Sequence, residues 1–189
     1  VLEEVCEGWL VDLLGLPQNT AAGFVSGTST ASLCGLVAGR DHLLRKNGWD
    51  VSSRGLFGAP EIRVVLGAGA HSTVYKARSI LGLGKDRLIQ VPTDEQGRMR
   101  ADLLPEPDSN TLLILQAGNV NSGAFDPFVE ICSKARAADA WVHIDGAFGL
   151  WAAASPHLKH LTAGIELADS WSVDAHKTLN APYDSGLIL

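Results

Sequence analysis

From residue 62 onward the chain repeats one alternation: a short apolar run, a break, a stretch of helical or turn character, and another apolar run. The runs are Ile62–Leu66, Leu88–Val91, Thr111–Gln116 (TLLILQ), Ala140–Ile144 and Ser170–Val173, and Leu187–Leu189 opens one more. Helical spacing fills Ser72–Leu81 and Phe128–Ala138, and a short helix fits Ala101–Leu104. Parallel neighbours in a sheet need a crossover of about a dozen residues or more, whereas antiparallel neighbours need only a tight turn. Gaps of crossover length therefore predict an α/β fold: a mainly parallel sheet of about seven strands flanked by helices.

The first 60 residues are read the same way. Val1, Val5, Trp9 and Leu13 share one face of a helix over 1–14, which Pro17 and Gly23 bring to a stop. Phe24 and Val25 lead into SGTSTAS, where Thr28 or Ser29 can cap a helix running to about Lys46. Residues 46–60, rich in Gly and Ser, read as a loop. With 189 residues, 46% of them hydrophobic, the chain can bury one substantial core. The net charge of −6, with no Lys/Arg block, argues against nucleic acid as a partner. No apolar run approaches the roughly 20 residues of a membrane span, and VLEEVCEGW carries acids where a signal peptide carries bases. The expectation is a soluble, cytoplasmic protein. Cys6, Cys34 and Cys132 lie far apart, without metal-ligand spacing, and read as small buried side chains in a reducing compartment. The chain stops at GLIL, inside an apolar run, which reads as part of a longer protein.

Chemistry concentrates at strand ends. Asp145 closes the run AWVHI, and His176 and Lys177 follow SWSVDA. Ligands of open parallel sheets bind outside the carboxyl ends of the strands, so an acid and an amine in these places can meet in one crevice. A carboxylate that keeps a pyridine nitrogen protonated and an amine that forms a Schiff base with an aldehyde are the two groups that pyridoxal phosphate chemistry needs. The apolar strand before Lys177 and the turn containing Pro182 after it suggest a desolvated ammonium. His71 follows the GAGA turn, where an imidazole can stack on an aromatic ring, move a proton, or simply cap the next helix. Thr28 and Ser29, at a loop-to-helix junction, suit a phosphate dianion as well as they suit ordinary capping. His176 can meet a phosphate oxygen or only fill space beside Lys177. Gly67, Gly69 and Ser72 approximate a dinucleotide fingerprint, but the third glycine is missing and no acid ends the run at Val91.

Four stretches, SGTSTASL, AHSTVYKA, HIDGAFG and ADSWSVDAHKTLN, resemble in content and order the group II pyridoxal-phosphate-dependent amino acid decarboxylases. The resemblance implies the large domain of fold type I, with residues 1–189 as its central part and with an N-terminal segment and a C-terminal small domain outside them. It implies that Lys177 forms the internal aldimine with pyridoxal 5'-phosphate, that Asp145 pairs with the pyridine nitrogen, and that His71 stacks on the ring. Ala147 would lie against the opposite ring face, Thr28 and Ser29 would hold the phosphate, and His176 would stand near the phosphate or the substrate carboxylate. Asn119 and Asn121 fall where the family usually offers threonines near the ring. The implied activity is decarboxylation of an L-amino acid by a homodimer, with no metal. The competing readings are an aminotransferase, a desulfurase, a sphingolipid-type aldehyde lyase, and a non-catalytic remnant of the fold. No aromatic stripe or acidic cluster designates a substrate side chain.

Overall fold

A computed structural model describes residues 1–189. The strands are β1 (Gly23–Val25), β2 (Arg63–Gly67), β3 (Leu88–Val91), β4 (Thr111–Gln116), β5 (Trp141–Asp145), β6 (Ser170–Asp174) and β7 (Gly186–Ile188). The helices are α1 (Leu2–Leu14), α2 (Thr28–Lys46), α3 (Val51–Arg54), α4 (Ser72–Ile80) and α5 (Phe128–Ala137). All seven strands join one sheet in the order β1-β7-β6-β5-β4-β2-β3. Strands β2 to β6 run parallel, and β7 is antiparallel to both of its neighbours.

Each face of the sheet carries its own core. On one, Leu112 and Ile114 of β4 pack with Leu36 and Leu43 of α2 and Val74 of α4. On the other, Leu113 and Leu115 join Val142, Ile144, Phe128 and Ile131, with Val11 and Leu14 from α1. Strand β4 is thus buried on both faces, which is why it reads as an unbroken apolar run. Strands β5 and β6 instead alternate. Val142, Ile144, Trp171 and Val173 belong to the α1/α5 core, while the intervening residues, His143, Asp145, Ser170, Ser172 and Asp174, form a buried polar stripe on the α2 side.

Helix α2 lies close over that stripe because two of its residues lack a side chain. A Cβ on Gly35 would come within 2.6 Å of the His143 ring, and one on Gly39 within 2.7 Å of Trp141. His143 itself is fully enclosed, with Nδ1 2.8 Å from the Ser170 hydroxyl and Nε2 3.3 Å from that of Ser172. Ser172 in turn bonds Ser32 of α2 at 2.9 Å. Burial pushes the imidazole down to about 3, so it is neutral at physiological pH. Gly35→Ala is expected to destabilise the fold by about 1–3 kcal/mol, the usual cost of overpacking, measured as a shift in the urea midpoint.

Several sequence expectations change here. The stripe Val1, Val5, Trp9 and Leu13 on α1 is exposed, at 69% for Trp9, and the helix turns Val11 and Leu14 inward instead. The residue at the N-cap of α2 is Gly27, and Thr28 is already the first residue inside the helix. The loop after Lys46 contains the short α3, whose first turn is capped by Asp50. Of the cysteines only Cys132 is buried, its thiol pushed up to about 12 chiefly by that burial, while Cys34 is exposed. No helix is long and apolar enough to cross a membrane.

Candidate active site

The carboxyl ends of β5 and β6 and the first turn of α2 open onto one cleft of about 400 Å³. Thr28, Ser29, His71, Ala147, His176 and Lys177 all line it. Asp145, the seventh expected residue, lies beside rather than in the cleft, in an adjoining recess that His71 also lines.

The organising group is Asp174, the last residue of β6. One carboxylate oxygen accepts the Thr28 amide at 2.6 Å, and the other meets the Lys177 ammonium at 2.8 Å. Asp174 is 3% exposed; its burial favours the neutral acid, but the bonds from Lys177 and Thr28 outweigh that and hold the carboxyl below its ordinary value. A signal for Asp174 was present in SWSVD, whose strict alternation puts Asp174 on the same face as Ser170 and Ser172. Lys177 is not the desolvated amine expected: its side chain is 42% exposed and ion-paired.

His176 is fixed by its surroundings. The Ser185 amide donates to its Nδ1 at 3.0 Å, so the neutral ring carries its proton on Nε2. Tyr183 stacks on the ring at 3.9 Å between centroids. His71 caps α4, its Nδ1 2.9 Å from the Thr73 hydroxyl, and so fulfils the capping role while facing the cleft.

Asp145 is 4% exposed, and its side chain receives one hydrogen bond, from the Ala147 amide at 3.3 Å. Burial raises its carboxyl, and the Ala147 amide and the charges of His71 and Lys177 offset this only in part. A buried acid so sparsely bonded is suited to a cationic partner such as a protonated ring nitrogen. At the other end of the cleft, the Thr28 hydroxyl is buried near the Asp174 carboxylate without a hydrogen bond of good geometry, at the N-terminus of a 19-residue helix. A hydroxyl at the start of a long helix, the helix dipole and the Nε2–H of His176 suit a phosphate dianion. The residues present therefore fit pyridoxal 5'-phosphate. Asn119 is held within its own loop, its oxygen accepting the amides of Asn121 and Ser122.

Residues 1–189, the whole chain, match the family described as the pyridoxal-dependent decarboxylase conserved domain. The chain belongs to this family. An aromatic-L-amino-acid decarboxylase of Bacillus atrophaeus is 30% identical over 96% of this chain and 37% of its own length. An L-2,4-diaminobutyrate decarboxylase of Rhizobium meliloti is 30% identical over 100% of this chain and 37% of its own. Among solved structures, mouse CSAD superposes with a TM-score of 0.87 at 28% identity, covering 100% of this chain and 41% of that one. The glutamate decarboxylase domain of a Vibrio parahaemolyticus protein gives 0.89 at 28% identity, covering 99% and 42%. This decarboxylase-family chain thus spans little more than a third of the curated relatives it matches, and its seven-stranded sheet is that of the fold type I decarboxylases.

Proposed function

We propose that the full-length protein is a pyridoxal-phosphate-dependent carboxy-lyase that converts an L-amino acid to its amine. The observation that carries this reading is the cleft itself, where one wall ends in an amine, one in a phosphate cradle, and the adjoining recess in an underpaired buried acid. Membership of the decarboxylase family supports it. Residues 1–189 form the central part of the large domain in this reading; the relatives, of which the chain covers 37%, support its being one part of a longer protein. We also read the full-length protein as a homodimer, as the family resemblance implies.

Thr28, Ser29 and His176 would hold the phosphate, His71 and Ala147 the two faces of the ring, and Lys177 the aldehyde carbon. When bound, the cofactor supplies an electron sink for the pair left behind as carbon dioxide departs. Asp145 would hold a proton on the ring nitrogen, which would sustain that sink. Lys177 would serve as a base or acid in the cleft, with Asp174 holding its protonated amine in place. His71, at the mouth of both cavities, is the second group placed to move a proton.

The test incubates full-length protein and pyridoxal 5'-phosphate with a panel of L-amino acids, recording carbon dioxide, keto acid and aldehyde. Stoichiometric carbon dioxide and amine are expected. Keto acid alone would establish an aminotransferase, and the absence of turnover together with the absence of an imine absorbance band would establish a non-catalytic remnant.

A further inference from the structure

Behind Asp145 lies a recess of about 10 Å³, lined among others by His71, Gln116, Asp126 and Asp145. That is roughly the volume that the centre of one water molecule needs, in a site with several polar partners. Gln116 and Asp145 are register partners on the parallel pair β4–β5, so their side chains rise from the same face at the same level. The orientation of the Gln116 amide follows from its neighbours. Backbone amides of Asn121, at 2.9 Å, and Ser122, at 3.3 Å, donate to Oδ1 of Asn119, so the other end of Asn119 must be its NH2. That NH2 donates to Oε1 of Gln116 at 3.2 Å. The Gln116 NH2 group is thereby left as a donor, and no protein acceptor bonds it. Asp126 anchors the floor of the recess by accepting the Met99 amide at 2.7 Å and the Gln116 amide at 2.8 Å, each on its own oxygen.

We propose that Gln116 is a positioning residue for Asp145: its side-chain NH2 and the Asp145 carboxylate hold one ordered water between them in this recess. The chain of constraint runs from the loop amides through Asn119 and Gln116 to the water, and it gives the acid the donor its surroundings otherwise lack. An acceptor fixed in this way stays ionised and aimed at one point. The charged or titratable groups around Asp145 are His71 from the start of α4, Lys177 and Asp174 from the end of β6, and Asp126 from the loop before α5. Of these, Asp126 is itself pushed up to about 6, mainly by burial, and both its oxygens are taken up accepting backbone amides.

The inference concerns the residue that would pair with the ring and so rests on the proposed function, but its test does not need the cofactor. A high-resolution crystal structure of the cofactor-free, full-length protein should show a water within hydrogen-bond distance of both Gln116 Nε2 and Asp145; a dry recess overturns the proposal without any variant. In Gln116→Met, which keeps length and removes the donor, the Asp145 carboxyl followed by carbon-13 NMR should titrate about one unit higher. That is a tenfold change in its ionisation ratio. A midpoint unmoved in a variant that melts like the parent would also overturn it. Failure of both proteins to bind pyridoxal 5'-phosphate would count against the proposed function and leave these two readings intact.

Discussion

Lys177→Ala in the full-length protein is expected to abolish the imine absorbance band and to lower the rate of carbon dioxide release by at least about a thousandfold. Removal of a covalent nucleophile from a catalytic unit typically costs that much or more. The structure also says what the substitution should leave intact. Lys177 contributes no packing to either core, and the Thr28 amide continues to satisfy Asp174. Lys177 is 42% exposed in its ion pair, but Asp174 on the other side is 4% exposed and loses the bond that most offsets its burial, so the urea midpoint should fall moderately. Circular dichroism should still show the parent fold while activity vanishes. Retention of more than a few per cent of the carbon dioxide release would remove Lys177 from the mechanism.

Asp145→Asn should separate activity from stability in opposite directions. Burial raises the carboxyl of Asp145, and one backbone amide is the only hydrogen bond it receives directly from the protein, so ionised Asp145 is a cost to the cofactor-free fold. The neutral amide relieves that cost, and the cofactor-free variant should melt at or above the parent's temperature. The sign follows from linkage: a carboxyl whose folded value lies above its unfolded one contributes stability at low pH that is lost as pH rises through the folded value. In the holoenzyme the same change removes one partner of a buried ion pair, a loss of about 3–5 kcal/mol. At 1.36 kcal/mol per decade that is a fall of roughly 10²- to 10⁴-fold in kcat. A variant with normal kcat would sink the assignment, and one that melts much lower would show Asp145 to be structural instead.

How much of this was legible in the sequence differs element by element. Strand β4 was legible to the residue because central parallel strands are apolar on both faces. Strand β1 was not, since three residues carry no period and its place depends on pairing with β7. The periodicity of α1 gave a helix but the wrong face: apolar residues surround much of its circumference, and spacing alone does not say which stripe meets the core. At the site, Asp145 and Lys177 stood out as polar residues at the ends of apolar runs. Asp174 and Gln116 did not, although each ends a strand too, because their roles come from partners distant in sequence. Asp174 is defined by Thr28, and Gln116 by its register with Asp145. The desolvated lysine was expected from the apolar strand before it, but the same strand ends in the carboxylate that pairs with it.

The hydrogen bond from Thr28 to Asp174 joins residues 146 apart, and β1 has its one sheet neighbour in β7, near the other end of the same span. Closing so long a loop is entropically expensive and is repaid only after the intervening strands have paired. On a ribosome, the contact between Thr28 and Asp174 accordingly stays unmade until nearly all of these residues have left the exit tunnel, so the cleft between them is among the last features of the sheet to form.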